Sequence, residues 1–65
     1  MYAIYNDQNN KYYAGLSDYS LVQWVVDSDY AEKYSTRLTA QLVAGSLDDK
    51  HYSVTVVNLK VGGLR

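Results

Sequence analysis

The alternation of apolar and polar positions divides the chain into short extended stretches and one long helical one. Residues 2–6, Tyr-Ala-Ile-Tyr-Asn, are aromatic and β-branched enough to predict a strand. Asp7-Gln8-Asn9-Asn10 is a polar cluster whose Asn and Asp residues tolerate left-handed backbone, so it reads as a turn. Lys11 to Leu16 then returns as the second strand of a hairpin, and Ser17-Asp18-Tyr19-Ser20 is a second turn. Leu21-Val22-Gln23-Trp24-Val25-Val26 predicts a third strand, apolar on both faces apart from Gln23.

The stretch from Asp27 to Leu47 admits two readings. As one continuous helix, it aligns Ala31, Tyr34, Leu38, Leu42 and Gly45 on a narrow stripe, with Asp29 as cap and Glu32 as its reciprocal partner. As two pieces, Ser28–Ala31 makes one turn, Tyr34 touches the sheet, and Ser35 or Thr36 caps a second helix. That helix presents Ala40, Val43, Ala44 and Leu47 to the core. Over residues 36–47 the two stripes lie on opposite sides. One faces the sheet, and the other is exposed or covered by something else.

Asp48-Asp49-Lys50-His51 ends the helix, and Tyr52 to Val56 alternates as a half-buried strand. Val57, Leu59 and Val61 carry the apolar positions on the opposite parity, which predicts a bulge or strong twist near Val56-Val57. Gly62-Gly63 closes the strand and Leu64-Arg65 fray. The order is β-β-β-α-β, an α+β domain with a small antiparallel sheet, the helical segment on one face and the last strand beside the first.

Length sharpens this picture. A chain of 65 residues makes one domain, 1–65, with a thin core. Domains of this size recover stability from disulfides, metals or self-association, and a chain without cysteine leaves self-association as the natural route. Absence of cysteine, of a basic N-terminal flank and of a long apolar run predicts a cytoplasmic protein with no membrane span.

Charge argues against nucleic acid. Six basic and seven acidic side chains nearly cancel, and no basic stripe supplies the phosphate neutralisation that such binding draws on. Asp18, Asp27, Asp29 and Glu32 instead follow one another with no Lys or Arg between Lys11 and Lys33. They read as a solvated edge with helix N-termini, or as an acidic rim for a basic partner. Eight Tyr, one Trp and no Phe fit a core close to the surface, and also fit a binding face.

Catalytic candidates are few. His51, the sole histidine, could be matched with Asp49 and Ser46 or Ser53, but a polar turn beside a strand neither buries nor orients it. His51 with Asp48 and Asp49 offers adjacent ligands of poor mutual geometry for a metal. Asp27-Ser28-Asp29 begins like a calcium loop and lacks the Gly and Glu that complete one. Gly62-Gly63 is followed by no helix that could hold a phosphate. The expectation is a non-enzymatic chain without cofactor.

Lys11-Tyr12-Tyr13-Ala14-Gly15, then Trp24 and Asp27, then Ala31-Glu32-Lys33-Tyr34-Ser35-Thr36, Ala40 and a closing Val-rich strand form a pattern over most of the chain. It resembles short proteins encoded by phages and prophages of Gram-positive bacteria. The resemblance implies the broken-helix reading and the product of a compact mobile genome. Such products include inhibitors of host defence, anti-CRISPR proteins among them, some of which imitate nucleic acid. A net charge of −1 departs from such mimicry, so shape and aromatic contacts would carry the binding.

The leading expectation is therefore a protein-binding module, an inhibitor and a homodimer. Its contacts are Trp24, Tyr30, Tyr34, Leu38 and Leu42, rimmed by Asp27, Asp29 and Glu32. One alternative is a small nucleic-acid-binding regulator that uses Lys11, Tyr12, Tyr13 and Lys60 on the sheet. The other is an accessory subunit of a larger assembly.

Overall fold

In the computed structural model, which describes residues 1–59, four antiparallel strands form one sheet with a single α-helix against it. The elements are β1 (Tyr2–Asn6), β2 (Lys11–Leu16), β3 (Val22–Val25), a 3-10 turn (Ser28–Tyr30), α1 (Arg37–Asp48) and β4 (Val54–Asn58). The sheet order is β3-β2-β1-β4, so the last strand lies beside the first, as the patterning predicts.

The Asp7–Asn10 turn is built by side chains. Asn6, only 2% exposed, accepts hydrogen bonds at its Oδ1 from the N–H groups of Gln8 (2.7 Å) and Asn9 (3.4 Å). Asn10 takes the left-handed backbone (φ 58°) that Asn tolerates better than most residues. Asn10 Oδ1 also accepts from the Tyr5 hydroxyl at 2.9 Å. Ser20 (φ 59°) does the same backbone work in the second turn, where Ser17 Oγ accepts from the N–H groups of Tyr19 and Leu21.

The broken-helix reading holds. Asp27 accepts from the Asp29 N–H and starts the 3-10 turn, which stops at an extended Ala31. Tyr34 then pairs with Tyr2 in both directions, each N–H donating to the other's carbonyl at 2.8 Å. Thr36 caps α1, its Oγ1 accepting from the Thr39 N–H at 3.3 Å. Asp29 therefore caps no long helix, because the chain between Ala31 and Thr36 is committed to the sheet.

That commitment has a structural cause. β1 and β2 pair at Tyr5↔Tyr12 and Asn6↔Lys11, at the hairpin end alone. Tyr2 already faces Asn58 of β4 on its other side, so Tyr34 occupies the β2 side of β1. Glu32 donates its N–H to the Tyr13 carbonyl at 2.9 Å. The Glu32–Tyr34 segment thus satisfies backbone groups that the splayed strands leave open.

Two sequence expectations are corrected. The last strand begins at Val54 rather than Tyr52, and its pairing with β1 runs without interruption from Asn6↔Val54 to Tyr2↔Asn58. No bulge falls at Val56-Val57. The parity change arises because both faces of β4 are half-buried: Val56 lies opposite Ile4 on the helix side, Val57 opposite Ala3 on the reverse. The irregularity lies instead in the β2–β3 ladder between Tyr13 and Leu16, where Gly15 has φ 93°. The third strand is also shorter than its apolar run, since Leu21 and Val26 fall outside it. Gly62-Gly63 and Leu64-Arg65 lie outside the described residues.

The core is small. Ile4, Tyr13 and Leu47 form its centre, with Val22, Trp24, Tyr34, Val43, Ala44, Tyr52 and Val54 packed around them. Ala40 is fully buried beneath α1. The helix lies over β4 and β1. Over the β2–β3 half the roof is aromatic, with Trp24 edge-on to Tyr13 (5.9 Å between centroids) and to Tyr52 (5.2 Å).

Candidate functional site

The candidate contact residues divide into two groups. Trp24 and Tyr34 are half-buried and belong to the core packing, Trp24 between two tyrosine rings and Tyr34 against the central cluster. Tyr30, Leu38 and Leu42 are 74%, 66% and 69% exposed. Leu38 and Leu42 stand one turn apart on α1, so their side chains share a face opposite the buried Ala40 and Leu47. The second stripe found in the sequence is therefore open to solvent among the described residues.

The acidic residues have separate local roles. Asp27 caps the 3-10 turn through its carboxylate. Asp29 is exposed, and its carbonyl accepts from the Lys33 ammonium at 2.8 Å. Glu32 lies over β2, with Oε2 3.3 Å from the place where a Cβ on Gly15 would stand. Its negative charge raises the phenol of Tyr13, where burial is the larger cause. Burial, then Tyr13, then Glu32 push the Tyr34 phenol up to about 12. Both shifts favour the neutral phenol in the folded chain.

Comparison with protein-family models, with curated proteins and with solved structures finds no match for this chain. The functional reading rests on its own residues.

Among the described residues the sheet does not bring Tyr12 and Tyr13, the aromatic pair of the nucleic-acid alternative, to one face. Tyr13 pairs with Trp24 on the helix side and is buried, whereas Tyr12 turns to the reverse face and meets Tyr5 edge-on at 5.1 Å. Adjacent strand residues point to opposite faces, so the two rings cannot stack consecutive bases together. Lys60, the fourth member of that set, lies outside the described residues.

His51 has a conformational role. It is exposed, takes φ 72°, and donates its N–H to the Asp48 carbonyl at 2.9 Å as the chain leaves α1. Among the described residues no three His, Asp or Glu side chains gather where they could hold a metal ion, and no helix is long and apolar enough to cross a membrane.

What sequence reasoning missed is the apolar rim around β3. Leu16, Tyr19, Leu21 and Val26 are all exposed. The signal was present in the run 21–26, apolar apart from Gln23, but a run apolar on both faces reads equally as a buried strand.

Proposed function

We propose that this chain is a non-enzymatic protein-binding module, a phage- or prophage-encoded inhibitor that acts on a host protein in the host cytoplasm. The observation that carries the reading is the exposed pair Leu38 and Leu42 on a helix whose opposite stripe is already buried. A rigid helix presenting two leucines at four-residue spacing is the geometry by which helices fill apolar grooves. Tyr30, also exposed, supplies an aromatic contact of the kind enriched at binding hot spots. The exposed carboxylates of Asp27, Asp29 and Glu32 favour a partner with a basic margin.

The test uses the purified chain as bait against host lysate, beside a Leu38→Asp, Leu42→Asp variant. Both positions face solvent, so the variant keeps its circular dichroism spectrum. A stoichiometric protein partner retained by the wild type and lost with the variant supports the reading. Equal retention by both, or no partner at all, rejects it.

A further inference from the structure

We propose that the open edge of β3 is a self-association surface, where two copies pair antiparallel about a two-fold axis to form a continuous eight-stranded sheet. This surface is separate from the helix face of α1.

The edge is chemically ready for pairing. Among the described residues β3 ends the sheet and has a strand on one side only. The Tyr13 carbonyl is taken by the Glu32 N–H, so it points away from β3, and the alternation of an antiparallel ladder makes Tyr13↔Trp24 a non-hydrogen-bonded pair. In an antiparallel ladder the Trp24 peptide groups then point outward to the open edge. Among the described residues they meet no protein partner there. Unpaired edge groups are a template for another strand unless charge, proline or a cover blocks them. The run Leu21–Val26 contains neither charge nor proline.

The apolar rim selects this edge over the other. Leu21 and Val26, at the two ends of β3, are 63% and 72% exposed, whereas β4 carries no exposed large apolar side chain. Helix α1 lies over the β4–β1 half, leaving Val22 and Trp24 half-buried on the β3 side. Among the described residues six apolar side chains are buried, and three of these are alanine. A core this small gains most from a surface that completes the burial of Trp24 and Val22.

The thin core favours a second copy as the occupant, and charge and parity make the edge complementary to itself and fix how that copy sits. Parallel in-register pairing would place Asp27 beside Asp27 and is disfavoured. A two-fold axis perpendicular to the sheet keeps each residue on its own face, so opposed residues share parity. Centring the axis on Gln23 sets this polar residue opposite itself. It also sets Val22 opposite Trp24 on the helix side and Leu21 opposite Val25 on the reverse. Centring on Trp24 would instead set Leu21 opposite Asp27. The Gln23 register pairs like with like and closes as a dimer without leaving a growing edge at β3.

Gln23 is exposed, so substituting it leaves the fold intact. Light scattering across a concentration series should show the wild-type chain as a dimer. Gln23→Lys and Gln23→Glu, each opposing like charges at the axis, should weaken dimerisation by roughly fivefold. An equimolar mixture of the two should restore it. Gln23→Cys, in a chain with no other cysteine, should form an intermolecular disulfide on mild oxidation, while Gln41→Cys on α1 should not. A wild-type monomer at every concentration overturns the proposal, as does a mixture no more dimeric than its components. A dimer lost in Leu38→Asp, Leu42→Asp but kept in Gln23→Lys moves self-association to the helix and overturns it too. None of these outcomes depends on capture of a host partner, so this edge and the helix face stand or fall separately.

Discussion

Tyr2 and Tyr34, 32 positions apart in the chain, bond each other's backbone in both directions at 2.8 Å. This bridge converts the stretch after β3 from helix into a short extended insert. It brings Glu32 and Tyr34 against Tyr13, and it delays α1 until Thr36.

Alkaline pH should expose the Tyr34 environment. Its phenol is raised in the folded state from 10.0 to about 12, so the native chain holds that proton more tightly than the unfolded one. The stabilisation is complete below pH 10 and is lost as pH rises from 10 through about 12. Urea midpoints should therefore fall across that window. The fall should be shallower in Tyr34→Phe, which removes the titrating group, and in Glu32→Gln, which removes one of the charges that raise it. Tyr34 ionising like an exposed tyrosine in absorbance titration of wild type against Tyr34→Phe would contradict this.

The same substitution at two glycines should have opposite signs. Gly15 has φ 93° and Glu32 Oε2 at 3.3 Å from a new Cβ, so Gly15→Ala should lose about 1–2 kcal/mol from backbone strain. Pairing it with Glu32→Ala clears the contact and leaves the strain, so most of the loss should persist. Gly45 lies inside α1 with nothing within 4 Å, and Gly45→Ala should gain about 0.5–1 kcal/mol. Chemical denaturation of both variants checks the pair.

Loss of the α1 cap should be measurable alone. Thr36→Ala removes the acceptor for the Thr39 N–H and should cost about 1 kcal/mol, while Thr36→Ser should cost little. Equal stability of the two variants would assign the helix start to packing instead.

Asn6 should be intolerant of an apolar replacement. Its buried carboxamide accepts from two turn N–H groups, and Asn6→Leu, close to it in size, leaves both without that acceptor. A loss of about 1–3 kcal/mol is expected in urea unfolding. A variant as stable as the wild type would mean that water replaces the carboxamide without cost.

Local chemistry carried a large share of the architecture. Polar turns at Asp7–Asn10 and Ser17–Ser20, the strands they separate, a cap at Ser35 or Thr36 and the Ala40–Leu47 stripe act over a few residues, so they were readable in order along the chain. The same periodicity showed two opposite stripes of which one had to face the sheet, and the fold decided that Leu38 and Leu42 stay exposed. Propensity and spacing act over one or two turns, and that range is enough for elements and for which side of each is apolar. Tertiary structure alone decided the rest. Whether Ala31–Thr36 continues a helix depends on Tyr2 and Tyr13, distant in sequence, whose backbone groups need partners. Trp24 and Tyr34 moved from candidate contacts into the core for the same reason: aromatic side chains look alike in sequence, and only the tertiary packing sets these two against Ile4, Tyr13 and Leu47.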